Sequence, residues 1–373
     1  IRMRLVFRPV ASCIDSLIVG PCQPARSVTA RAKPINAPVS FRATAHRECA
    51  QALATAVERL GLPVYLSGGA RGLLGRTHPL LLRHQRRAAL KEADLVILAG
   101  VPADFRLDYG RGFSKARVIA ANRSRAELRR NLRPQLAVQA DVGLFLRSLA
   151  GLAPAPQRWH GWLAQLRSRD EAREAEISQQ AEQRTEYLNP LYLCRQIEAI
   201  LPDDAMLIGD GGDFVATAAY TIAARRPLRW LDPGPFGTLG VGAGFAIGAA
   251  VCLPNTPIWV IFGDGALGYS LAEFDTFVRH KLPITAVVGN DAGWTQISRD
   301  QVTILGSALG TVLAPSAYHE AVNGLGATGI AVADPELLED AFQETQAAVA
   351  AGKPVLLNAR IGATEFRKGS LSI

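Results

Sequence analysis

The sequence holds no apolar run long enough to cross a bilayer. The longest, Leu239–Leu253, is interrupted by glycines, ends at Pro254, and falls short of the roughly 20 residues a spanning helix needs. Five cysteines, Cys13, Cys22, Cys49, Cys194 and Cys252, form no CxxC pair and no zinc-ligand spacing with the six histidines. That excludes a zinc site and a disulfide framework and predicts reduced, mostly buried thiols. There is no GxxxxGK[ST] loop, no internal repeat, and no Ser/His/Asp set at a strand-to-helix elbow; Ser270 and His280 read as a helix-start and a surface residue. The net charge of +8 is scattered over arginines such as Arg83, Arg86, Arg87, Arg129, Arg130 and Arg133. Without a basic stripe and interleaved aromatics this is a solvated face, and nucleic acid is not an expected partner.

What is present is an alternation of strand and helix patterns over 373 residues, 49% hydrophobic and 20% charged. It predicts an α/β protein of two three-layer domains with parallel sheets. Residues 1–45 are rich in Pro, Arg, Ser and Ala without sustained period and read as an irregular leader. From 46 to 150, "GLPVYLSGGARGLLG", "ALKEADLVILAG", "ARVIAAN" and "AVQADVGLFLRSL" form a central Rossmann-like domain. "LAPAP" then marks a boundary, and residues 151–187 contain a polar linker helix, "QLRSRDEAREAEISQQAEQRTE". Residues 188–373 form the second domain, ending on the strand "KPVLLNARI".

Chemistry is concentrated at the strand ends of that second domain: Asp210–Asp213, Gly234–Gly240, Gly263–Gly265 and Asn290–Gly293. Strand, turn, helix and strand make a right-handed crossover, so Asp264 and Asp291, 27 positions apart (291 − 264), should meet on one edge of a parallel sheet. Ligands of open α/β sheets bind at that edge. Gly263 and Gly265 permit a tight turn and close approach of phosphate oxygens to backbone N–H groups, with a helix starting near Ser270, so a diphosphate is expected. Two carboxylates beside a diphosphate repel it unless a hard dication intervenes; Mg²⁺, with about six oxygen ligands, fits best. Gly240-Val241-Gly242-Ala243-Gly244 is not read as a nicotinamide fingerprint, since no strand runs directly into it. Its glycines read as sites of close helix packing below the cofactor.

These residues resemble the diphosphate-binding domain of thiamine diphosphate enzymes, whose signature is GDG, about two dozen residues, then Asn-Asn. Asn290 keeps the first asparagine; Asp291 replaces the second. The resemblance implies that Asp264, the Asp291 side chain and the Gly293 carbonyl ligate Mg²⁺. It further implies that Gly212, Asp213 and Phe214 lie along the diphosphate, with Gly263, Gly265 and Asn290 around it and the Ala266 N–H donating to it. Gly237 would accept the aminopyrimidine amino group through its carbonyl, and Leu239 would bend the cofactor. "VYLSGGARGLLGRTHPL", "DGGDFVATAAY", "RWLDPGPFGTLGVGAGFAIGA", "GYSLAEFDTFVRHKLP" and "GNDAGWTQISRDQV" extend the likeness from about residue 49 to the end, and are most similar to the acetolactate synthase-like, 2-hydroxyacyl-CoA lyase branch. The first domain then corresponds to the family's central domain, which holds FAD in true acetolactate synthases; FAD stays open here.

The resemblance implies cleavage of a 2-hydroxyacyl-CoA to formyl-CoA and an aldehyde one carbon shorter. Two alternatives stand beside it: an acetolactate synthase acting on a 2-keto acid, pyruvate, and a non-catalytic thiamine diphosphate-binding module. The family's activating glutamate lies on a pyrimidine-binding domain that these residues do not contain. Glu48, in "AHRECAQALATA", belongs to the central domain instead, so the chain alone is expected to be inactive and no catalytic side chain is assigned. In full-length relatives a homodimer or homotetramer and an endoplasmic reticulum membrane anchor are implied.

Overall fold

A computed structural model of the chain describes residues 15–20, 43–152 and 159–367. They divide into two compact units, with the boundary between Arg173 and Glu174.

The first unit contains the strands β1 (Asp15–Gly20), β2 (Val64–Ser67), β3 (Leu95–Ala99), β4 (Arg117–Asn122) and β5 (Leu136–Gln139), in the order β2-β1-β3-β4-β5. Strands β3, β4 and β5 run parallel. Strand alternation sends successive side chains of β3 to opposite faces. Val96 and Leu98 pack with Ala89 and Leu90 of helix α2 (Arg86–Glu92). Ile97 and Ala99 pack with Leu53 and Val57 of α1 (Ala43–Leu60) and with Val142 and Leu146 of α3 (Val142–Leu152). That is the expected three-layer arrangement, with one correction. Residues 15–20, placed by the sequence in an irregular leader, form β1, which pairs antiparallel with both β2 and β3. The run Leu17-Ile18-Val19 has β-strand composition but is too short to show a period, and the rest of that leader lies outside the described residues. Glu48 lies in α1, with its side chain likewise outside them.

Helix α4 (His160–Ala181) carries the unit boundary. The second unit is built on β6 (Met206–Asp210), β7 (Trp230–Leu231), β8 (Ile258–Gly263), β9 (Ile284–Asn290), β10 (Thr328–Val332) and β11 (Val355–Arg360). All six strands are parallel, in the order β10-β11-β9-β8-β6-β7. Strand β8 reads as an unbroken apolar run, and β9 nearly so, because helices cover both faces of the sheet. Leu207, Trp259, Ile261, Val287 and Leu357 face one core, with α5 (Pro190–Ile200), α6 (Asp213–Thr221) and α12 (Leu338–Ala350). Ile208, Val260, Phe262, Ala286 and Val288 face the other. There they meet α7 (Gly242–Cys252), α9 (Glu273–Arg279) and α11 (Tyr318–Gly324). The chain leaves β6 for β7 on one side and returns to β8 on the other, so strand order reverses beside β6. A crevice opens at such a reversal, at the carboxyl ends of the strands.

Among the described residues Cys194 is buried, and burial pushes its thiol up to about 12, but Cys49 and Cys252 are exposed free thiols. Mostly buried thiols were expected; Cys252 departs from this because it ends α7, where the helix leaves the core.

Candidate cofactor and metal site

The ends of β6, β8 and β9 lie side by side: Asp210 is opposite Phe262, and Gly263 is opposite Gly289. Their loops touch directly. A Cβ on Gly211 would stand 2.7 Å from the Gly263 nitrogen, and the Gly211 φ of +153° is one that side-chain-bearing residues avoid. Two glycine turns are thus pressed backbone to backbone at the reversal point.

The GDG turn is tighter than the sequence suggests. The helix expected near Ser270 begins instead at Asp264, as the five-residue α8 (Asp264–Gly268), and α9 starts afresh at Glu273. Ser270 is buried between them and His280 is exposed at the end of α9. Asp264 is only 2% exposed. Its Oδ1 accepts from the Gly265 N–H at 2.8 Å and its Oδ2 from the Gly293 N–H at 3.2 Å. Ala266 is buried in the same short helix. The indole ring of Trp294 lies over Gly265, where a Cβ would stand 2.6 Å from it.

Asp291 follows β9 and accepts the Thr295 hydroxyl on Oδ2 at 2.5 Å; Thr295 opens α10 (Thr295–Leu305). The Gly293 N–H that donates to Asp264 lies two positions beyond Asp291, and the strands that the two carboxylates follow are paired, Gly263 opposite Gly289. Burial, and then the charge of Asp291, push the Asp264 carboxyl up to about 6. Burial first, and then repulsion from Asp213, raises Asp291. Among the described residues neither carboxylate has a cationic side chain within ion-pair distance. No three Asp, Glu, His or Cys side chains converge as a metal set among those residues. The donor set is therefore two carboxylates, with backbone and ligand oxygens completing any cation's shell. A buried carboxylate beside a half-buried one, with no counter-ion among the described residues and at a glycine cradle, fits a hard dication and an oxyanion ligand.

Gly212 precedes α6, Asp213 opens it, and Phe214 is buried with its ring against Gly289, where a Cβ would come within 2.3 Å. Asp213 is held from the side: Arg299 of α10 donates to its Oδ2, and the Arg367 Nε stands 4.0 Å from its Oδ1. Gly237 and Leu239 lie in the loop that leads into α7, Gly237 exposed at φ +65° and Leu239 half-buried. That loop is bracketed by Asp210, which is fully buried and accepts from the Gly240 and Gly242 N–H groups at 3.0 and 2.7 Å. A Cβ on Gly240 or Gly242 would clash with Tyr269 or Asp210, but Gly244 faces open space. Close packing thus applies to the first two glycines of that run and not to the third. The Asn290 side chain is turned into the frame: its Nδ2 donates to Ser316 O and Asn358 Oδ1, and Arg360 donates to its Oδ1. The amide expected beside the cofactor is engaged by the protein itself.

Trp294, Arg299 and Arg367 shape the site without having been singled out from the sequence, which marked Asp210 as a strand end without giving it a role. The pairing of Arg299 with Asp213 spans 86 positions and has no local signal.

In cation-free protein the Asp264 carboxyl binds its proton more tightly folded than unfolded. Its contribution to stability is fully present below pH 3.8 and is lost as pH rises through about 6. The loss should amount to about 3 kcal/mol. Thermal melts in chelator from pH 4 to 7 should show the wild type falling relative to Asp264→Asn; a constant difference would refute the shift.

A doubly wound parallel sheet with glycine turns and paired carboxylates at its switch point is the architecture of an α/β domain that takes its ligand at the carboxyl ends of the strands. Residues 210–359 match the thiamine pyrophosphate enzyme C-terminal TPP-binding domain, and residues 42–149 match the thiamine pyrophosphate enzyme central domain. The chain belongs to the thiamine pyrophosphate enzyme family. It is 51% identical over 334 residues to 2-hydroxyacyl-CoA lyase 2 of Mus musculus, covering 87% of this chain and 52% of that protein. It is 46% identical over 333 residues to the protein of the same name from Caenorhabditis elegans, covering 86% and 52%. It is 35% identical over 311 residues to the acetolactate synthase large subunit of Mycobacterium tuberculosis, covering 82% and 56%. The chain thus spans about half the length of the curated relatives it matches.

Proposed function

We propose that this chain is part of a thiamine diphosphate- and Mg²⁺-dependent lyase that cleaves a 2-hydroxyacyl-CoA into formyl-CoA and an aldehyde one carbon shorter. The observation that carries the cofactor half of this reading is the placement of Asp264 and Asp291 at the paired ends of β8 and β9, with no side-chain cation within ion-pair distance of either among the described residues. The substrate half rests on likeness: the proteins named 2-hydroxyacyl-CoA lyase 2 are 46% and 51% identical to the chain, against 35% for the acetolactate synthase.

In this reading Asp264, Asp291 and the Gly293 carbonyl hold the Mg²⁺. The turns at Gly211–Phe214 and Gly263–Ala266 supply backbone N–H groups to the diphosphate. The loop carrying Gly237 and Leu239, fixed by Asp210, faces the organic part of the cofactor. When bound, thiamine diphosphate supplies a carbon nucleophile that attacks or expels a carbonyl carbon. The cleavage breaks the bond between the hydroxyl-bearing carbon and the thioester carbon. The hydroxyl proton is lost as the aldehyde forms, and a proton is gained at the acyl carbon of formyl-CoA, so no oxidant is needed.

A homodimer or homotetramer and location at the endoplasmic reticulum membrane belong to the same reading of the whole protein. No helix among the described residues is long and apolar enough to cross a membrane. Titration of thiamine diphosphate into the chain by calorimetry should show heat only when Mg²⁺ is present. Full-length protein given a 2-hydroxyacyl-CoA should release formyl-CoA and aldehyde; turnover of pyruvate to acetolactate in its place would transfer the assignment to a synthase.

A further inference from the structure

We propose that Asp291 makes the cation site self-sufficient, so that one divalent cation binds between Asp264 and Asp291 before the diphosphate and without it. The inference rests on the cofactor half of the proposed function, and it concerns the order of binding.

Two observations support it. First, Asp264 and Asp291 follow the paired ends of β8 and β9, the Gly293 N–H two positions beyond Asp291 donates to Asp264, and Asp264 is almost wholly withdrawn from water. Second, arginines of the same edge are committed elsewhere: Arg299 donates to Asp213 and, through Nη1, to the Arg367 carbonyl at 3.0 Å, and Arg367 also lies toward Asp213.

Like charges held together, one buried and one half-buried, call for a counter-ion, and hydrogen bonds from N–H and O–H groups do not supply one. A diphosphate cannot be the first arrival, because it would add negative charge to a pair already uncompensated. A dication can. Asparagine at position 291 would leave an oxygen donor but only one charge from this pair, and the cation would then need phosphate oxygens to hold it. Affinity for a hard cation rises with the number of charged ligands.

The test is a titration of Mn²⁺ into the whole chain without thiamine diphosphate, read by the electron paramagnetic resonance of the free ion. Asp264→Asn reports non-specific surface binding, and near-ultraviolet circular dichroism checks the fold of each variant. The wild type is expected to take up one Mn²⁺ per chain. Asp291→Asn should bind about tenfold or more weakly, and recover most of that loss when thiamine diphosphate is added. A wild type that takes up Mn²⁺ only with thiamine diphosphate present overturns the inference and leaves the cofactor assignment standing. Failure to bind under either condition overturns both.

Discussion

Replacing Asp264 by alanine should abolish Mg²⁺-dependent binding of thiamine diphosphate, weakening it by roughly a hundredfold or more. The side chain is a buried carboxylate whose two oxygens already gather the Gly265 and Gly293 N–H groups, so it fixes both turns while offering lone pairs to a cation. Calorimetric titration with and without Mg²⁺ measures the loss. Stability should move the other way. The Asp264 carboxyl is pushed up to about 6 by burial and by Asp291, so at neutral pH the cation-free protein holds an unfavourable charge there. Asp264→Asn, which keeps an acceptor and removes the charge, should melt no lower than the wild type at pH 7 in chelator. Groups kept for binding at the expense of the fold give this opposed pattern. Unchanged thiamine diphosphate affinity in the alanine variant would remove Asp264 from the site.

Gly211→Ala should be strongly destabilising to the second unit. It would force a side-chain-bearing residue to φ +153° and place a Cβ 2.7 Å from the Gly263 nitrogen. Backbone strain costs about 1–3 kcal/mol, and overpacking adds about 1–3 kcal/mol. The neighbouring atom is main chain and cannot rotate away. Gly244→Ala is the control: it lies in α7 with nothing within 4 Å of the new methyl group, and should gain about 0.5–1 kcal/mol in helix propensity. Denaturant melts of the two variants should shift in opposite directions. Equal midpoints would mean that the two glycine turns are not in contact.

Much of this architecture was legible because its causes are local. The alternation of apolar strand and helix patterns identified the layered α/β units, and the handedness of one crossover was enough to bring Asp264 and Asp291 to the same edge. What escaped was set by distant partners. Strand β1 is a run of three large apolar residues that becomes a strand only between β2 and β3. The start of α8 at Asp264 follows from the turn at the end of β8, where no ordinary capping side chain is present. The Asn290 amide is engaged by Asn358, 68 positions away, so its inward direction could not be read from its neighbours.

The bracket formed by Asp210 acts as a non-covalent staple. Its two oxygens hold Gly240 and Gly242, closing everything between into a loop with both ends fixed at the same sheet edge. Closing such a loop costs entropy that grows only with the logarithm of its length, about 0.6 kcal/mol per doubling. Residues could therefore be inserted after α6, away from both glycine turns, with little effect on where Gly237 and Leu239 are delivered. The stretch between α6 and β7 can vary in length while the edge it serves stays fixed, which lets the surroundings of the site be rebuilt without moving Asp264 and Asp291.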